Sequence, residues 1–238
     1  MADARRWWDR LHVRTNRGTP EAAAGPWRVE PVEAVTDTFA AAHMGVEEGP
    51  ERPLVVAIDG RSDSGRAAVA QTLRAHVPDS VIVHTEDFAW HPAFFGWADV
   101  MREGVLEPLY RGEAVHYRPL AKDEREGDGV VTIGEGCPAV FIEGVGAARS
   151  ELMHWIDAVV WVQSDPAPAS EAPATTTGPP SGAGHAREGW KAEEDRFLAD
   201  QRPWERADVI VAGDTGPLPH DPATELVVAP PLGRDAAE

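Results

Sequence analysis

The chain is predicted to be an α/β protein, a parallel sheet flanked by helices in three layers. Three observations predict it. Five short apolar runs, Leu54–Asp59, Val81–His84, Ala139–Gly144, Ala158–Val162 and Val209–Val211, are rich in β-branched residues. Runs of this kind read as strands buried on both faces. Helix-length segments separate them, as in a parallel sheet wound with right-handed crossovers. The first run passes through a turn with two glycines into Ala67–Ala75, whose Ala, Leu and Gln content reads as a helix.

In chain order, residues 1–52 form an N-terminal extension of helical or irregular character, with Trp7, Trp8 and Trp27 among Arg, Pro and Gly and an amphipathic helix around Val32–His43. Residues 53–213 hold the predicted α/β domain, and 214–238 a C-terminal tail. Inside the domain, 165–186 is almost wholly Pro, Ala, Ser, Thr and Gly. Such a composition cannot bury a core and reads as a flexible insert. Helical character returns over Glu188–Ala199, where Trp190, Phe197 and Leu198 make an apolar stripe that reads as packing.

At 238 residues and 25.7 kDa, with 42% hydrophobic residues, the chain suits one domain with extensions. No apolar run approaches the ~20 residues that span a bilayer, and Met1–Trp8 lacks the apolar stretch of a signal peptide. A cytoplasmic protein is the expectation. Cys137 is the only cysteine, so an internal disulfide and a cysteine-built metal site are excluded; it reads as a half-buried residue beside the strand at Val140. The net charge of −18 opposes nucleic acid and anionic membranes.

The turn after the first strand is Gly60-Arg61-Ser62-Asp63-Ser64-Gly65-Arg66-Ala67. Its spacing is that of a phosphate-binding loop, Gly, four residues, Gly, Lys, then Ser or Thr. Backbone N–H groups and the helix N-terminus do most of the anion binding in such a loop, and those donors do not depend on side chains. Three groups differ. Arg66 stands for Lys, and a planar guanidinium does not direct its donors as an ammonium does. Ala67 has no hydroxyl for magnesium. Asp63 is expected to tolerate a left-handed backbone in place of Gly. Ionised at ~4 Å from a phosphate charge, it would repel by on the order of 4 kcal/mol per unit charge at an effective dielectric near 20, unless it tilts to solvent.

Ligands of parallel α/β sheets bind beyond the carboxyl ends of the strands. Glu86 and Asp87 follow the second strand and Glu143 ends the third, so these acids are expected beside the loop. In phosphoryl transfer one such carboxylate can accept the attacking hydroxyl's proton and another can hold magnesium.

Together these residues resemble the uridine kinase and phosphoribulokinase group of P-loop kinases. The matching stretches are Val55–Ser62, Thr85–Phe88, Val115–Pro119, Phe141–Gly146, Glu193–Leu198 and Pro203–Asp208, roughly Pro53 to Gly213 in all. The resemblance implies a three-layer P-loop NTPase fold and ATP-dependent phosphoryl transfer, with Mg2+, to a hydroxyl of a nucleoside or similar small molecule. Carried over by position, Glu86 activates the acceptor hydroxyl, Arg66 takes the place of the catalytic Lys, and Glu86 and Glu143 serve the metal. Residues 60–67 hold the nucleotide, while Asp87, Trp90, Tyr117 and Arg118 meet the acceptor. Phe88 is a stacking candidate that reads rather as core.

Departures from the family pattern cluster. Besides Asp63, Arg66 and Ala67, the lid arginines expected after the fourth strand are replaced by the insert, with Arg187 the first basic residue beyond it. Arginine clamps are worth orders of magnitude in rate. Three readings follow: a nucleotide-binding protein with impaired phosphoryl transfer, an inactive kinase homologue acting as a ligand-binding or interaction module, or an enzyme of changed chemistry on the same fold.

Overall fold

The protein is described from a computed structural model covering residues 20–44, 51–88, 95–118, 130–164, 184–216 and 218–232, with the backbone alone for 44 and 184–188. The elements in chain order are β1 (Arg28–Pro31), α1 (Val32–Met44), β2 (Leu54–Gly60), α2 (Arg66–His76), β3 (Val81–His84), α3 (Ala98–Met101), α4 (Glu107–Tyr110), β4 (Val115–Tyr117), β5 (Val131–Ile133), β6 (Ala139–Glu143), β7 (Ala158–Gln163), α5 (Gly184–Gln201), β8 (Val209–Ala212) and β9 (Glu225–Ala229). A π-helical turn, Arg102–Leu106, joins α3 to α4.

All five expected strands are present and lie in one seven-stranded sheet of order β1-β9-β8-β7-β2-β6-β3. The five from β8 to β3 run parallel. The sheet is not wholly parallel, however. β9 pairs antiparallel with β8, and β1 antiparallel with β9, so residues 225–229 and 28–31, expected in the tail and the extension, extend the same sheet, with β1 at its edge. β4 and β5 form a separate antiparallel pair.

β2 is the middle of the five parallel strands, and its side chains are apolar on both faces. Val56 and Ile58 point to one face, where Val32, Val35 and Phe39 of α1 and Val69 and Leu73 of α2 cover them. Val55 and Ala57 point to the other, under Met101, Leu109, Leu198 and Trp204. This alternation across a doubly covered sheet gives the three layers. It also carries the carboxyl ends of β2, β3, β6, β7 and β8 to a common edge. No described helix is long and apolar enough to cross a membrane.

Cys137 is half-buried, as expected; its Sγ donates to the Ala139 carbonyl at 3.3 Å, and burial pushes the thiol pKa up. The insert at 165–186 lies outside the described residues up to 183, and α5 begins at Gly184.

Candidate functional site

The turn from β2 to α2 depends on a glycine within it and on one in a neighbouring segment. Gly65 caps α2 with φ 83°, a left-handed conformation that glycine reaches at little cost. Gly213, just after β8, lies so close that a Cβ there would overlap the Ser64 carbonyl oxygen. The loop is thus held between its own strand and a neighbour. Ser64 N–H donates to the Arg61 carbonyl at 2.9 Å and Ala68 N–H to Gly65 at 3.0 Å. Asp63 is exposed, which limits its repulsion of an anion, but its expected left-handed backbone is not found. Among the described non-glycine residues only Asp79 and Arg202 have positive φ; the turn at the loop is made by Gly65 instead.

Beneath the loop lies Asp59, buried at the end of β2. Its Oδ1 accepts from the N–H groups of Gly60 at 2.7 Å and Gly146 at 3.0 Å, and its Oδ2 from Ala148 at 2.9 Å. One carboxylate therefore ties the loop to the chain following β6. Burial pushes its pKa up to about 6, against the lowering effect of those three N–H groups and of Arg66.

Arg66 does not reach outward. Its side chain is buried and turns back over the loop, where Nη1 donates to the Arg61 carbonyl at 2.6 Å and Nε lies 2.7 Å from Glu143 Oε1. That contact is an ion pair set off the N–H axis, so neither atom gains a well-formed hydrogen bond. Glu143, 1% exposed, meets His84 Nδ1 with its other oxygen at 2.6 Å. The hydrogen bond to Glu143 raises the His84 pKa, against partial burial. Glu143 thus bridges Arg66 and His84.

Helix α5 engages Ser62 and Arg61 of the loop. Glu194 Oε1 accepts the Ser62 N–H at 2.7 Å, Glu194 Oε2 accepts the Ser62 hydroxyl at 3.0 Å, and Trp190 Nε1 donates to Ser62 Oγ at 2.8 Å. Arg61 pairs with Asp195 at 2.9 Å and with Glu21 at 3.2 Å. Glu21 in turn accepts from Trp161 Nε1 at 2.8 Å and Gln163 Nε2 at 3.0 Å, which seats the N-terminal segment at the end of β7.

The other expected site residues divide. Glu86 and Asp87 occupy the 3-10 turn Thr85–Asp87 after β3, beside the Arg66, Glu143 and His84 group. Glu86 is exposed as a residue, yet packing around its carboxyl raises its pKa; His84 opposes this, while Glu143 and Asp87 add to it. Ala67 is half-buried in the first turn of α2. Tyr117 stacks on Phe88 with centroids 5.8 Å apart and packs over Gly104 in the π-helical turn, so its ring is used in packing. Phe88 is core, as expected. Arg118 is exposed at the end of β4. Trp90 lies outside the described residues. The stripe on α5 is apolar packing in part: Leu198 is buried and Phe197 stacks on Phe95 at 4.2 Å, but Trp190 also spends its indole N–H on the loop.

The site also includes Asp59, His84, Glu21 and Glu194, which the loop spacing and the strand-end acids do not mark. Asp59 had a signal, a charged residue closing an otherwise apolar strand, because a buried carboxylate must find donors. Glu194 lies 132 residues from Ser62, and nothing local joins them.

Magnesium prefers six oxygens in octahedral array, commonly one or two carboxylates with phosphate oxygens and water. Here residue 67 offers a methyl group, and both Glu143 oxygens are already engaged, one by Arg66 and one by His84. Among the described residues no cluster of three or more His, Cys, Asp or Glu could hold a metal. The residues present do not fit a loop-held magnesium ion.

No protein-family model matches the chain, and no curated protein matches it. Solved structures do match, among them a structure described as a possible uridine kinase from Bacillus stearothermophilus. It is 20% identical, covers 74% of this chain and 98% of its own, and gives a TM-score of 0.44.

Proposed function

We propose that this chain is a binding module of kinase-like build that takes a phosphate-bearing ligand of nucleotide type at residues 60–67 and transfers phosphate poorly or not at all. The observation that carries this reading is the chain Arg66, Glu143 and His84. The one cation at the Lys position is committed to a buried carboxylate at 2.7 Å and to the loop's own carbonyl. A cation whose donors are spent on Glu143 and on the Arg61 carbonyl is not aimed at a transferring phosphate, where a preorganised catalytic donor must point. Anion binding asks less. Exposed Asp63, the left-handed Gly65 and the N-terminus of the 11-residue α2 keep the backbone geometry that serves it.

Binding on these terms needs no divalent ion. In calorimetric titrations, ADP is expected to bind weakly, with an affinity that changes by less than about threefold, under ~1 kcal/mol, when magnesium is replaced by EDTA. A large loss of affinity in EDTA would contradict the reading, as would absence of ADP and pyrophosphate binding at millimolar concentration.

A further inference from the structure

Helix α5 sets a carboxylate where the loop has its donors. Glu194 is 4% exposed, and its two oxygens accept the backbone N–H and the hydroxyl of Ser62. A phosphate oxygen would seek the same kinds of donor on such a loop. The contact is braced on either side, by Trp190 one turn earlier on α5, whose indole N–H bonds Ser62 Oγ, and by Asp195, which pairs with Arg61. A nearby Phe95 ring packs on Trp190 at 5.3 Å and on Phe197 at 4.2 Å, so this stretch of α5 is seated as a unit.

We propose that Glu194 is an intramolecular latch: it occupies the loop as an internal anion, and a phosphate-bearing ligand enters only when α5 withdraws it. The inference rests on the binding reading above and adds its regulation. Two anionic groups cannot share one N–H donor without strong repulsion in so buried a place. Apparent affinity is then the intrinsic affinity reduced by the fraction of molecules in which the latch is open. By linkage, a ligand on the loop must favour the displaced form of α5 to the same degree. Burial raises the Glu194 pKa, while Ser62 and the two loop arginines lower it, which agrees with a carboxylate kept out of water by its donors.

The test is ADP titration of the full-length wild type, Glu194→Ala and Glu194→Gln, with hydrogen exchange of α5 followed with and without ADP. The latch predicts that Glu194→Ala binds ADP roughly tenfold or more tightly than wild type. Glu194→Gln, which keeps shape without charge, should fall between them, and ADP should raise exchange in α5 of the wild type. Equal affinities in all three proteins, or bound ADP with unchanged exchange in α5, would overturn the latch and leave the binding reading standing. No binding to any of the three would sink the binding reading, and the latch with it. If Glu194→Ala does not fold, Glu194→Gln and the exchange measurement decide the question by the same criteria.

Discussion

Replacing Asp59 with alanine is expected to lower the unfolding temperature at pH 5 by about 10 °C or more. The substitution strands the N–H groups of Gly60, Gly146 and Ala148, all of which Asp59 now satisfies. Each buried donor left unpaired costs about 1–3 kcal/mol, and a chain of this size loses roughly 2–4 °C per kcal/mol. The deficit should shrink with rising pH. Burial holds the native pKa of Asp59 up at about 6, above its ordinary value of 3.8. Between these values the folded state keeps a proton that the unfolded chain releases, so wild-type stability falls as pH rises through that window. The alanine variant has no such group and is spared the fall. Thermal melts of both proteins from pH 4 to pH 8 check this; a loss below about 3 °C, or a gap that widens with pH, would contradict it.

Arg66→Ala is expected to destabilise by about 3–5 kcal/mol, because it strips buried Glu143 of its arginine and leaves only His84 paired with it among the described residues. Removing both charges together, with Arg66→Met and Glu143→Leu, should cost much less, since the larger penalty belongs to the uncompensated carboxylate and not to loss of the pair. A spectroscopic readout separates this from general damage. In Arg66→Ala, His84 alone answers the Glu143 charge, so its imidazole pKa, already raised by Glu143, should move further up in NMR titration. If Arg66→Ala costs no more than the surface control Arg28→Ala, the ion pair does not hold the crevice as described.

The five parallel strands were legible because each is a short apolar run, and the alternation of Val55 and Ala57 against Val56 and Ile58 shows why apolar residues on both faces were needed. β1 escaped because Arg28-Val29-Glu30-Pro31 carries two charged residues and a proline, tolerable only at a sheet edge. β9 has the right composition but lies far along the tail, and its partner β8 is not fixed by any local signal. In the site, loop spacing and the acids at the strand ends could be read directly. What could not be read is how those groups are spent. Arg66 turns inward because Glu143 lies buried within reach. The Ser62 donors are taken because α5 returns across the strand ends after an insert that says nothing of its path. Such pairings are set by packing over separations of up to 142 residues, as between Glu21 and Gln163.

The most direct test of the account is the rate of phosphate transfer from ATP, with magnesium, to a panel of nucleosides by the wild-type protein. With Arg66 and Glu143 committed to each other and a methyl group at residue 67, turnover is expected to stay at the uncatalysed background. Turnover in the range of ordinary kinases, about 1–100 s⁻¹, would contradict it.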